Sequence, residues 1–256
     1  MDPIIELSKV TKTYRSKGKA VLALKDVNLP VERGSFTTLI GPSGCGKSTL
    51  LKIIAGIALP YEGCMRYKDR EITSINTDIV FVTQDSNLFP WLTLIQNVEL
   101  ALKIRGVARD QRKRTAQNYI DTMRLSGFES HYPFELSGGM QKRGSIIRTL
   151  IYDPEIILMD EPFGPLDAQT RMVLQDELLR IWDSNKKTIL FVTHDLTEAI
   201  ALSDKVVLFT SRPGTVKRVF DVPLARPRNV FEIHNEKGFN EIYHEIWQYF
   251  KNEITI

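Results

Sequence analysis

The segment Gly41-Pro-Ser-Gly-Cys-Gly-Lys-Ser-Thr49 constrains this chain more than any other. It follows an apolar, strand-like run, Ser35–Ile40. It precedes a stretch with helical spacing, Lys47–Ile57, whose Leu50, Leu51, Ile54 and Ile57 share one face. The order G-x-x-x-x-G-K-[ST] between strand and helix is that of a phosphate cradle. Gly41, Gly44 and Gly46 let the backbone curl so that successive N–H groups point inward, and the helix adds its positive end. Lys47 then supplies a point charge to the β- and γ-phosphates, and Ser48 a hydroxyl ligand for Mg²⁺. Pro42, Ser43, Cys45 and Thr49 complete the loop. A plain linker turn has no need of the Lys-Ser pair, so nucleotide binding is the first expectation. Cys45, at a helix start that lowers thiol pKa, is expected to block nucleotide binding when alkylated.

The rest of the chain alternates. Ile4–Val10 and Val21–Leu29 read as strands, as do segments near Gly63–Tyr67 and Asp78–Thr83. From Thr93 to about Asp153 the pattern is helical throughout, including the charge-rich stretch Ala108–Arg124, and Asp153-Pro154 closes it. Strand-like Ile156–Met159, Thr188–Thr193 and Lys205–Thr210 then alternate with helix-like Ala168–Ser184 and Leu196–Leu202. Leu174, Leu178, Ile181 and Trp182 share one face of the longer helix. Such alternation predicts a parallel sheet covered on both faces, with the helical block as an insertion. Pro213-Gly214 marks a turn, and Phe239, Ile242, Ile246, Trp247 and Phe250 predict an amphipathic terminal helix.

Further motifs fall after strands or open helices. Ile156-Ile-Leu-Met-Asp160-Glu161 ends a buried strand in two carboxylates. Asp160 is placed to hold hydrated Mg²⁺, and Glu161, projecting differently, to polarise an attacking water. His194 follows a strand and precedes a helix, and Gln84 ends another strand. Alone, each is more often structural than catalytic; their order along the chain gives them value. Ser137-Gly138-Gly139 opens a helical run, either as an ordinary serine cap or as a second phosphate cradle.

Together these motifs resemble the ATP-binding subunit of an ABC transporter, over essentially residues 4–225. Leu136-Ser-Gly-Gly-Met-Gln141 is similar to the family signature. The resemblance implies an α/β fold: a P-loop NTPase (RecA-like) core with an antiparallel β subdomain and an inserted α-helical subdomain at about 88–154. Residues 1–228 would form the nucleotide-binding domain and 229–256 a tail with an amphipathic helix. Tyr14 would stack on adenine, against the alternative of a plain sheet tyrosine. Gln84 would sense Mg²⁺ and the γ-phosphate, Asp167 would lie at a dimer seam, and His194 would contact the γ-phosphate. Catalysis would thus rest on Glu161, His194, Gln84 and Lys47, with Ser48, Gln84 and Asp160 around Mg²⁺. The family mechanism implies a head-to-tail dimer with ATP between the phosphate loop of one chain and Ser137–Gly139 of the other. Pro165, Thr83 and Gly144-Ser145 depart from the family's usual residues, and a mid-helix glycine costs about 1 kcal/mol relative to alanine.

Leu88-Phe-Pro-Trp-Leu-Thr93, Pro162–Arg171, Ser211-Arg-Pro-Gly-Thr215 and Pro223–Arg228 resemble the nitrate, sulfonate and taurine branch of bacterial importers. That branch implies permease subunits, an extracytoplasmic substrate-binding protein and a peripheral place on the cytoplasmic face of the inner membrane. The chain ends soon after Arg228, so no separate regulatory domain is expected. Phe89 and Trp91 would either pack in the core or line a groove for a helix of the membrane subunit. Lys103–Arg114, with six basic residues and one acid, reads as a solvated helix face.

Composition narrows the classes. Lysine and arginine number 34 against 31 acids, a net charge of +3 that argues against a nucleic-acid partner. Two cysteines cannot build a disulfide framework, and a reducing compartment is expected. No apolar run approaches the length of a membrane span, and no signal peptide is evident at the amino terminus. A soluble ABC-type ATPase is the alternative. The segment between Gly41 and Ser137 is too short, however, for the coiled coils or zinc modules of the repair members.

Overall fold

The computed structural model describes residues 3–16, 19–164 and 166–254; Pro165 lies outside them. In chain order, β1 is Pro3–Ser16, β2 Lys19–Glu32, β3 Phe36–Ile40, α1 Lys47–Ile54, β4 Glu62–Tyr67, β5 Arg70–Glu71 and β6 Ile79–Val82. Three helices follow, α2 Leu94–Ile104, α3 Arg109–Thr122 and α4 Gly138–Leu150. Then come β7 Ile156–Asp160, α5 Ala168–Asn185, β8 Thr188–Val192, α6 Leu196–Leu202, β9 Lys205–Phe209, β10 Val216–Asp221 and α7 Phe239–Ile254.

Apolar runs such as Ile156-Ile-Leu-Met and Thr188-Ile-Leu-Phe-Val need cover on both faces, which a parallel sheet flanked by other layers provides. The larger sheet has the order β10-β9-β3-β8-β7-β6, parallel except for β10, which pairs antiparallel with β9. Successive residues of β7 and β8 point to opposite faces. Ile157, Met159, Ile189 and Phe191 join a core with Leu94, Leu178 and Trp182, while Ile156, Leu158, Leu190 and Val192 join one with Leu50, Ile54 and β1. Each fully buried side chain of this kind contributes about 1.5–3 kcal/mol. The second sheet is antiparallel, β2-β1-β4-β5. The register then aligns the strand ends: Asp160 pairs with Val192, and Leu39 pairs with both Val192 and Val207. The chain leaving β3, β7 and β8 therefore enters one crevice at the carboxyl ends of the parallel strands, the usual ligand position in such sheets.

Several sequence expectations are corrected. Helix α1 stops at Ile54 rather than Ile57, because Gly56 takes a left-handed φ of 71° and closes a Schellman motif. Its N–H donates to Ile53 O, Ile57 N donates to Lys52 O, and Ile57 is left exposed. The stretch from Thr93 to Asp153 is not helical throughout: it holds three helices and a short 3-10 turn at Pro133–Glu135. Arg124 and Gly127, with φ of 53° and 90°, break it between α3 and α4. Strands β5 and β10 lie where no strand was expected, since two residues carry no pattern and Lys217-Arg218 mask an edge strand.

Gly144 has a packing reason to depart from the family's usual residue. A Cβ there would lie 2.8 Å from Leu94 Cδ1 and 3.3 Å from Leu88 Cδ1, so glycine lets α4 approach the start of α2 closely. Among the described residues, no helix is long and apolar enough to cross a membrane.

Candidate nucleotide site

The phosphate loop is held by its contacts as much as by its own turns. Gly46, at the start of α1, has φ 111°, and a Cβ on it would lie 2.6 Å from Leu24 Cδ2 and 2.8 Å from Ala23 O. Only glycine fits where strand β2 crosses the loop. Lys47 is buried, and its Nζ donates to Gly41 O at 2.7 Å and Pro42 O at 2.9 Å, so its charge is held inside the curl. Cys45 is fully buried, with Sγ 3.7 Å from Lys47 Nζ. Burial sets the Cys45 thiol inside the loop, where the expected alkylation would have to reach it.

Above the loop lies a cleft of about 290 Å³. Ser43, Gly44, Gly46, Lys47, Ser48 and Thr49 form its floor, and Tyr14 and Val21 stand at one side. Tyr14 is half exposed, and its hydroxyl lies 3.5 Å from Thr49 Oγ1. This β1 tyrosine therefore faces the cleft rather than serving only as a sheet residue. Glu161 and Arg212 complete the wall.

The carboxylates arrive from β7. Ser48 Oγ donates to Asp160 Oδ1 at 2.9 Å. Burial raises the Asp160 pKa, the Ser48 hydrogen bond opposes it, and the neighbouring Glu161 charge adds to it. Glu161, one residue on, takes a left-handed φ of 44°, with its N–H on Val192 O at 3.0 Å. That bend turns its side chain away from that of Asp160, and its Oε2 lies 3.4 Å from His194 Nδ1. His194 is exposed on the turn leaving β8. Gln84 Nε2 and Glu161 Oε2 come within 3.9 and 4.0 Å of the point a Cβ on Gly164 would occupy, so both side chains pack around Gly164.

A hydroxyl and a carboxylate oxygen side by side suit Mg²⁺, which keeps several waters and shares substrate phosphates. Among the described residues no group of three or more His, Cys, Asp or Glu stands together to hold a metal ion.

The second glycine-rich helix start stands elsewhere. Ser137 caps α4, with Oγ accepting Met140 N at 3.3 Å, so the cap reading holds for the local geometry. Ser137 and Gly138 are exposed, and neither they nor Gly139 line the cleft. Asp167 caps α5 by accepting Thr170 N at 2.9 Å, and that hydrogen bond holds its carboxyl below the usual range. Gly139 abuts the start of α5, where a Cβ would sit 3.2 Å from Thr170 Cγ2.

Three residues that the sequence reading missed tie the site together. Lys142 of α4 is buried, and its Nζ donates to Thr83 O at 2.6 Å and Gln84 O at 2.9 Å. It sits one helical turn before Ile146, a position whose spacing marks the buried face. Glu198 is buried between α5 and the His194 turn, accepting from Gln175 Nε2 at 2.9 Å and Thr193 Oγ1 at 2.5 Å. Burial raises its pKa against the opposing Thr193 hydrogen bond. Arg212 donates from Nε to Gly44 O at 3.1 Å; in the sequence its segment, Ser211–Thr215, carries a branch resemblance and a turn but no role at the site.

The ABC transporter family profile matches residues 24–164, which span the phosphate loop, the signature helix and Asp160-Glu161. The chain belongs to the ABC transporter family. An uncharacterised ABC transporter ATP-binding protein of Methanocaldococcus jannaschii is 45% identical over 250 residues, covering 98% of this chain and 92% of that protein. An aliphatic sulfonates import ATP-binding protein of Bacillus cereus is 42% identical, with 96% of each chain covered. A nitrate import ATP-binding protein of a Synechocystis species is 39% identical, over 94% of this chain and 93% of that one. A dimeric ATP-binding cassette in a post-hydrolysis state with ADP and Pi superposes with a TM-score of 0.75 at 34% identity, covering 85% of this chain and 98% of that one. The fold of this ABC cassette is thus the P-loop NTPase α/β fold, and its activity class is that of an ATPase.

Proposed function

We propose that this cassette hydrolyses ATP at the crevice above Gly41–Thr49 to power import of a small anionic solute. The observation that carries the reading is the meeting of Lys47, the Ser48–Asp160 pair and the Glu161–His194 pair at the ends of three adjacent strands. Lys47 exchanges the Gly41 and Pro42 carbonyls for phosphate oxygens. Tyr14 stacks on adenine, and backbone N–H groups of residues 41–49 hold the phosphates. Ser48 and Asp160, with Gln84 nearby, hold Mg²⁺, which supplies charge neutralisation on the β- and γ-phosphates. Glu161 orients and polarises the attacking water, and His194 steadies Glu161 and the γ-phosphate.

Two chains work head to tail, because Ser137 and Gly138 stand exposed and Ser137–Gly139 lies away from its own cleft. Each signature then closes the partner's site, with Asp167 at the seam. The structural neighbour, a dimeric cassette, and the relatives named for import support this assembly. Residues 1–228 act as the cassette with the helical segment 88–154 inserted, and 229–256 as an appended tail. Relatives named for sulfonates and for nitrate both serve small anions, which supports an anionic solute.

The membrane partner docks beside α2. Trp91 is 69% exposed and Phe89 36%, so core packing does not describe Trp91. Their rings pair at 5.3 Å. Asn97 fixes the loop by accepting Phe89 N at 2.7 Å and donating to Phe89, Leu92 and Thr93 carbonyls. This surface receives a cytoplasmic segment of a permease, which places the cassette at the inner face of the membrane, with a substrate-binding protein outside. The import names of the relatives favour this over a soluble ATPase. In membrane fractionation the chain is expected to sediment with spanning subunits, and Trp91→Ala to release it while keeping ATP binding. Sedimentation with ribosomes or DNA would overturn the transport reading.

A further inference from the structure

The turn joining β9 to β10, residues 210–215, is wedged between the phosphate loop and β2. Gly214 N donates to Ala23 O at 2.9 Å, and Lys25 N donates to Gly214 O at 3.0 Å. A Cβ on Gly214 would sit 2.0 Å from Cys45 O, so the turn lies directly on the loop's backbone. From this turn Arg212 Nε donates to Gly44 O at 3.1 Å, and the side chain forms part of the cleft wall. Lys47 and Arg212 are the cations of that wall, against one carboxylate, Glu161.

The same turn is gripped from behind by the terminal helix. Glu253, near the end of α7, is buried, and its Oε2 accepts Ser211 N at 2.7 Å. Its other oxygen pairs with Lys217 Nζ on β10. Burial alone would raise the Glu253 pKa, but the Lys217 and Ser211 hydrogen bonds outweigh it and hold the carboxyl below its usual range. One carboxylate thus fixes the backbone beside Arg212, and Arg212 reaches the loop.

We propose that Arg212 contacts the phosphate chain of the bound nucleotide, and that α7 acts through Glu253 to position it. This rests on the reading that nucleotide occupies the cleft above residues 41–49. A guanidinium anchored through Nε keeps its remaining N–H donors for phosphate oxygens, in a fork that suits two oxygens at once. Because the anchor is set beforehand, little side-chain freedom is lost when nucleotide binds. The terminal helix, far along the chain from the loop, thereby becomes a determinant of nucleotide affinity.

The test uses the full chain, Mg²⁺ and ATP, with affinity measured by calorimetry and turnover measured separately. Arg212→Ala is expected to raise Kd and KM about fivefold with little change in kcat, a loss that shrinks at high salt because it is electrostatic. Arg212→Lys is expected to recover part of it. Glu253→Gln keeps the side chain's shape and is expected to weaken ATP binding about twofold, with no further loss in the Arg212→Ala background. Unchanged affinity in Arg212→Ala would overturn the proposal. So would an equal loss from Glu253→Gln whether or not Arg212 is present. Lys47→Ala that bound ATP normally would instead overturn the underlying cleft reading, leaving the two failures distinct.

Discussion

The amino ends of α1 and α4 carry the same chemistry, backbone N–H groups opened by glycine, in opposite settings. At α1, Gly46 is pressed against Leu24 and Ala23, Lys47 is buried, and the loop forms the floor of a walled cleft. At α4, Ser137 and Gly138 are exposed, and a Cβ on Gly138 would meet nothing within 4 Å. An anion at the first is surrounded by the chain's own groups; at the second it would be held from one side only. A helix end is a ready anion site, but enclosure is what strengthens its electrostatics. In the dimer proposed above, this contrast gives each chain one walled floor and one open lid, the lid serving the second copy.

The largest effect expected from breaking the enclosed side is chemical. Glu161→Gln should keep ATP binding, lower turnover about 10²–10³-fold and accumulate ATP-bound dimers in size-exclusion chromatography. Near-normal turnover in that variant would remove Glu161 from the role of base. Next comes packing. Gly46→Ala should destabilise the chain by about 2–3 kcal/mol in chemical denaturation, through both the left-handed backbone and the Leu24 contact. Gly138→Ala tests the open end the same way and should be neutral or stabilising by about 0.5 kcal/mol, as a good helix former in open space. Equal losses at the two positions would erase the contrast between the two helix ends.

A smaller effect concerns the tie between the ends. Lys142 joins α4 to the Gln84 segment, and burial lowers its pKa from 10.5 to about 8, against the opposing charges of Asp85 and Asp160. Below pH 8 both folded and unfolded chains carry the proton, and the full cost of burying it is felt. Between pH 8 and 10.5 the folded chain releases the proton first, so stability should rise by about 3 kcal/mol across that window. Lys142→Met should lose this rise, compared by denaturation at pH 8 and 9.5.

The enclosed end was legible in the sequence because its chemistry is local: Gly41–Thr49 and Asp160-Glu161 are short, contiguous signatures bounded by strong apolar patterns. What joins them is not local. Lys142, Glu198 and Arg212 are charged residues in amphipathic or turn segments, and only folding brings them against Gln84, Thr193 and Gly44. The positive φ of Glu161 is likewise invisible in sequence, since a glutamate there signals no turn. In the fold, parallel strands with unbroken apolar runs were readable. Strand β10 was not, because an exposed edge carries charge, and the end of α1 depended on Gly56, whose Cβ would strike Ser74 O at 2.0 Å.

The central claim, that each cleft is completed by a second copy, is tested most directly by mixing two crippled chains. Lys47→Ala disables the floor and leaves its Ser137 end intact; Ser137→Arg blocks the lid and leaves its own cleft intact. Each alone should hydrolyse ATP at a small fraction of the parent rate. Mixed, they should recover turnover in proportion to the mixed dimer, which holds one composite site with both halves sound. Full activity of Ser137→Arg by itself, or no recovery on mixing, would contradict the account.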